Sequence, residues 1–113
     1  MASYVLKNTD KEYVFKVINE TTFTVTLADT AKGGVTPDAL TIRRWFVTMN
    51  VGNDYLEISR NGTPVIELHG NEVVDLSTLG MTLSEESNQS VVIAPSNSGH
   101  KYTLIMALGK VIE

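Results

Sequence analysis

The hydrophobic pattern of this chain repeats every second residue over most of its length. Tyr13, Phe15 and Val17 alternate with Val14, Lys16 and Ile18; Phe23, Val25 and Leu27 alternate with Thr22, Thr24 and Thr26. Alternation at this spacing sorts side chains onto the two faces of an extended chain, so both runs read as strands. The threonine face of the second suits solvent or a cross-strand hydroxyl ladder, and Asn19-Glu20 between them is a tight turn. Leu40 to Met49 is long enough to cross a full sheet. Strict alternation puts Leu40, Ile42 and Phe46 on one side, interrupted by Arg44, and Thr41, Arg43, Trp45, Val47 and Met49 on the other.

The strongest turn signal is Asn61-Gly62, flanked by alternating runs from Asp54 to Gly70, and it predicts an antiparallel hairpin. A two-residue loop would set Glu57 opposite Ile66 and Leu56 opposite Glu67, mixing charge with apolar groups on both faces. A three-residue loop, Arg60-Asn61-Gly62 with Gly62 left-handed, sets Leu56 opposite Ile66 and Ile58 opposite Pro64. Glu57 then faces Val65, and Tyr55 faces Glu67, on the outer side. A one-residue slip inverts every side chain, so the sorted register is expected. Pro64 cannot donate to a ladder, which places its strand at a sheet edge.

Further strands are read at Glu72 to Leu76, Ser90 to Ala94 and Tyr102 to Lys110. The loop Ala28 to Asp38 holds Gly33-Gly34 and Pro37, Leu79-Gly80 is a turn, and Ser84 to Ser90 is a polar loop. Ser96 to Gly99 is expected to close a hairpin onto the last strand. That strand is apolar on both faces, Tyr102, Leu104, Met106 and Leu108 on one and Ile105 and Ala107 on the other. It is therefore either central or covered by a partner chain. About eight strands with no helical interludes predict one all-β domain over residues 1–113, an antiparallel β-sandwich, with a barrel as second choice.

Composition narrows the function. For 113 residues and 12.4 kDa, surface scaling leaves about 6,100 Å² exposed, enough burial for a core without staples. There is no cysteine, which removes disulfides and thiolate metal sites. Nine Lys and Arg are scattered among thirteen Asp and Glu, for a net charge of −4, so no nucleic-acid partner is expected. No apolar leader or membrane span is read.

Catalytic patterns are equally sparse. His69 and His100 each sit beside a turn, with no partner at ligand spacing, so neither metal nor cofactor is expected. No serine sits in a Gly-x-Ser-x-Gly elbow and Gly33-Gly34 lacks the residues of a phosphate loop. Glu85-Glu86 are adjacent and diverge, unlike the facing carboxylates of a glycosidase. Asn50 to Asp54 has turn composition and no calcium-loop spacing. The chain reads as a non-enzyme.

The least ordinary feature is Arg43-Arg44-Trp45-Phe46. Consecutive arginines on a regular strand point to opposite faces, so at least one is expected to meet the core side or a partner. Arg and Trp are also the residues most enriched in binding hot spots; the other reading is that Trp45 is core, with Arg43 lying along its own strand and exposed. Tyr55, on the outer hairpin face, and the doubly apolar last strand add to them. The partner-interface candidates are Arg43, Arg44, Trp45, Tyr55, Leu104 and Met106.

Residues 40–112 resemble small β-structured virion proteins of tailed bacteriophages. The resemblance is carried by Arg44-Trp45, by Leu56-Glu57-Ile58-Ser59-Arg60-Asn61-Gly62 and by Val65-Ile66-Glu67-Leu68-His69-Gly70. It continues through Asp75-Leu76-Ser77, Gly80-Met81-Thr82-Leu83 and Tyr102 to Lys110. It implies a non-enzymatic capsid decoration (cement) protein on the outside of the shell. The implied partner is the major capsid protein, with self-association into a homo-oligomer. Carbohydrate-binding β-sandwiches and neck, tail or fibre components are the alternatives.

Overall fold

The computed structural model describes residues 2–49, 55–76, 83–97 and 101–112, with the backbone alone for 83–87. Among the described residues ten strands follow in chain order: β1 (Ala2–Asn8), β2 (Glu12–Ile18), β3 (Phe23–Val25), β4 (Ala39–Met49), β5 (Tyr55–Arg60), β6 (Thr63–His69), β7 (Glu72–Asp75), β8 (Leu83–Ser87), β9 (Val91–Pro95) and β10 (Tyr102–Val111). They form two open antiparallel sheets. The larger runs β1-β2-β10-β4-β7 with β8 also paired to β4, and the smaller runs β3-β9-β5-β6. The expected sandwich is therefore the observed architecture, and neither sheet closes into a barrel. Its accessible surface of 6018 Å² agrees with the roughly 6,100 Å² that scaling gives.

The core lies between the inner faces. Tyr13, Phe15 and Val17 of β2, Leu104, Met106 and Leu108 of β10 and Leu40, Ile42, Trp45 and Val47 of β4 meet Leu56, Ile58, Leu68, Val91 and Ile93 of the small sheet. Each fully buried aliphatic contributes roughly 1.5–3 kcal/mol. β10 lies between β2 and β4, so it is a central strand of the large sheet, with Leu104, Met106 and Leu108 in the core and Ile105 partly buried on the outer face. Arg60 crosses the sandwich: its guanidinium donates to Leu40 O at 2.8 Å and Gln89 O at 2.7 Å. Burial lowers its pKa from the ordinary guanidinium value.

Three local patterns depart from strict alternation. In β4, Ile42 pairs with Leu108 and Arg44 with Ala107, so Arg43 is an extra residue, a β-bulge. The bulge shifts the parity, and Leu40 and Ile42 share the inner face with Trp45, Val47 and Met49 rather than with Phe46. In the central hairpin the turn is the two-residue loop, with φ of 51° at Asn61 and 77° at Gly62, the positive pair of a type I′ turn. Val65 is then bulged, giving Ile58 opposite Ile66, Leu56 opposite Leu68, Glu57 opposite Glu67 and Tyr55 opposite His69. The faces are sorted as expected, by a bulge in β6 instead of a three-residue loop. β6 is an edge strand, as Pro64 requires.

The third departure concerns connections. Ser96 does not close a hairpin onto β10: β9 pairs with β3 and β5 in the opposite sheet, and Ser96 N–H donates to Tyr55 O. Buried Val91 and Ile93 are what bring β9 to that sheet. The expected polar loop over Ser84 to Ser90 instead begins as a strand, Leu83–Ser87, because its backbone pairs with β4; β1 forms by pairing with β2. The expected turn at Leu79-Gly80, the Asn50 to Asp54 segment and His100 lie outside the described residues.

The β2–β3 corner is held by Tyr102. Asn19 adopts φ 56°, rare for a side chain other than glycine. Its carboxamide oxygen accepts from Tyr102 N–H at 2.7 Å, and Tyr102 Oη donates to Glu20 O at 2.8 Å. Burial, reinforced by the nearby Glu20 charge, pushes the Tyr102 phenol from 10.0 up to about 12. The unfolded chain therefore releases this proton first as pH rises, and stability falls between about pH 10 and about pH 12. Denaturation midpoints across that window, followed with phenolate absorbance, are expected to show the loss. Tyr102→Phe should flatten it while costing about 1 kcal/mol at neutral pH for the missing hydrogen bond.

Candidate functional site

The bulge in β4 decides where the two arginines go. Both lie on the outer face of the large sheet and converge on Glu12, whose side chain is 8% exposed. Arg44 Nη2 is 2.8 Å from Glu12 Oε1, Lys7 Nζ is 3.2 Å from the same oxygen, and Arg43 Nη1 is 3.8 Å from Oε2. Thr9 folds the turn that delivers Glu12: its hydroxyl accepts from Glu12 N–H at 3.1 Å. Gly109 provides the slot. A Cβ there would lie 2.6 Å from Thr41 Oγ1 and 2.9 Å from Arg43 Cζ, so only a glycine on β10 leaves room for Arg43 to cross towards Glu12. The expectation that consecutive arginines diverge fails because a bulge, not a regular strand, carries them.

Beside this cluster the outer face is apolar. A shallow cavity of about 100 Å³ is lined by Val14, Arg44, Trp45, Phe46, Ile105 and Ala107. Phe46, opposite Val73 in the ladder, is 39% exposed, and Val73 is 72% exposed. Other predicted contact residues lie elsewhere. Trp45, Leu104 and Met106 are buried in the core, so they support the surface from beneath and do not reach a partner. Trp45 Nε1 donates to Glu72 Oε1 at 3.0 Å, which satisfies the indole where it meets the rim.

Tyr55 is on the outer face of the small sheet, as expected. Its ring is 5.4 Å from the His69 ring, and His69 Nε2 is 3.3 Å from Glu67 Oε1. Glu57 and Glu67 are directly opposite across β5 and β6, an unfavourable like-charge pair. Among the described residues no group of three or more His, Asp or Glu is placed to hold a metal ion.

A surface that the alternation did not single out is the edge at β1. Among the described residues it pairs only with β2, and Tyr4, Val5 and Leu6 are each more than half exposed. Lys7 and an irregularity at Leu6 guard its second half, as charges and bulges guard natural edges; Ala2 to Val5 carry no such protection. Beneath it a groove of about 330 Å³ opens between the sheets, lined by Val5, Tyr13, Phe15, Phe23 and Val25 among others. The groove exists because β3 spans only three residues. Thr26 and Asp29 exchange side-chain to backbone hydrogen bonds of 2.9 and 3.1 Å that turn the chain away from the sheet. The apolar run Tyr4-Val5-Leu6 was visible in the sequence, but its exposure was not.

Comparison of the chain with known protein families, with curated proteins and with solved structures finds no match.

The Glu12 cluster makes a direct prediction for urea denaturation. Glu12→Ala should cost about 1.5–3 kcal/mol, the scale of hydrogen bonds to a charged group. Arg43→Ala, which removes a half-exposed partner at 3.8 Å, should cost less than about 1 kcal/mol. Gly109→Ala, which also crowds Thr41, should cost about 1–3 kcal/mol.

Proposed function

We propose that this chain is a non-enzymatic structural protein of a tailed-bacteriophage virion, a capsid decoration protein that binds the outer surface of the major capsid lattice and stabilises the shell. The resemblance of residues 40–112 to such proteins supplies the class. The observation that carries the reading is the β1 edge, seven residues long and lying over an aromatic-lined groove. An edge of this kind accepts an extended strand from another protein: backbone hydrogen bonds give affinity, and alternate side chains entering the groove give specificity. A capsid subunit that presents an extended arm supplies such a strand. One decoration protein then bridges subunits of the lattice, and the added contacts resist expansion from within.

The purified chain is expected to co-sediment with expanded shells of the cognate capsid protein at a fixed stoichiometry. Val5→Lys should weaken that binding by at least about tenfold, roughly 1.4 kcal/mol. Its melting temperature should not change, because Val5 is 57% exposed. Absence of binding to expanded shells would remove the reading. Binding to a glycan panel that Tyr55→Ala abolishes would replace it with a carbohydrate-binding module, for which Tyr55 beside His69 would be the platform.

A further inference from the structure

Among the described side chains, the two outer faces of the sandwich carry charge of opposite sign. On the large sheet the described outward side chains include four cations, Lys7, Lys16, Arg43 and Arg44, against Glu12 and Asp75. Register places Lys7, Val14, Ala107, Arg44 and Asp75 in one cross-strand row and Tyr4, Lys16, Ile105, Phe46 and Val73 in the next. Glu12 is shared by three of these cations, so the cluster keeps excess positive charge after its internal pairing. The small sheet is the reverse. Among the described residues its strands hold one guanidinium, Arg60, which is buried and turned to the core, and one imidazole, His69, beside Glu67 on the outer face, whereas Glu57 and Glu67 face outward directly across from each other.

A directly opposed carboxylate pair works against the hairpin that contains it. Such a pair is relieved when a guanidinium or ammonium group docks between the two side chains. Flanking apolar positions match as well. Tyr55, Val92 and Ala94 accompany the carboxylates on one face, and Phe46, Ile105 and Ala107 accompany the arginines on the other.

We propose that copies of this chain associate head to tail, the Lys7–Arg43–Arg44 face of one copy seating on the Glu57–Glu67 face of the next. The chain itself supplies both halves of the charge pattern, so a second copy is the occupant. The faces lie on opposite sides of the sandwich, so the contact is heterologous: it leaves one unlike face free at each end and extends into rows or rings. β1 lies at the edge of the sheet as described, so attachment there and association through the faces are separate events.

Sedimentation velocity at low and high ionic strength tests this. At about 20 mM salt the average mass should grow beyond two copies as concentration rises, and it should fall back at about 500 mM salt, where such charges are screened. Glu57→Gln with Glu67→Gln should abolish the growth while leaving the melting temperature unchanged or raised by about 1–5 °C. Lys7→Gln with Arg43→Gln, which keeps the Arg44–Glu12 pair, should also abolish it. An equimolar mixture of the two double variants should stop at two copies, because only one compatible pair of faces remains. A wild-type chain that stays monomeric at low salt overturns the proposal. So does growth that persists in the glutamine variant of the hairpin, or a mixture that exceeds two copies. Val5→Lys should leave the association intact, which separates this outcome from failure at the shell-binding edge.

Discussion

The bulge at Arg43 is the constraint on which the rest of the molecule depends. β4 is eleven residues long and pairs with β10, β7 and β8, so any error in its facing spreads through the large sheet. Without the extra residue, either Leu40 and Ile42 or Trp45, Val47 and Met49 would face solvent, and each exchange would forfeit several kilocalories of burial. One residue removed from the ladder reconciles two apolar runs of opposite parity. It also ejects both arginines to the outside, where Glu12 and the vacant side-chain position at Gly109 receive them. Core and charged surface are thus two consequences of one backbone irregularity.

The hairpin β5–β6 solves the same problem by the same means. Asn61-Gly62 favours a type I′ turn on local grounds, and that turn alone would mis-sort Leu56 and Ile58. Bulging Val65 restores the apolar pairs Leu56–Leu68 and Ile58–Ile66 while the turn keeps its preferred angles. Burial decided the register; local turn chemistry decided the loop. The cost is borne outside, where the shifted register sets Glu57 against Glu67. Residues that cost stability on a surface are often retained for function, which is why that pair draws attention as a contact.

The sandwich has two kinds of open surface. Its broad faces are polar with local apolar strips, and its β1 side is an unfinished edge because β3 ends early at the Thr26–Asp29 exchange. Faces favour charge-steered contacts that weaken with salt, whereas an edge favours backbone pairing that is less sensitive to it.

Period-two alternation, the Asn61-Gly62 signal and the lack of helical runs were sufficient to establish an all-β sandwich, because burial on one face of a strand writes itself directly into alternate residues. Pro64 likewise marked an edge, since a missing N–H is a property of the residue itself. The placement of Arg43 and Arg44, the choice of the core over a partner for Trp45, Leu104 and Met106, and the move of β9 to the opposite sheet were decided only by tertiary structure. Each turns on a bulge or a pairing between segments far apart in the chain; Glu12 and Arg44 are separated by 32 positions. Alternation reports which residues seek burial, but a single unpaired residue reverses every face beyond it, and its position is set by the strands on either side.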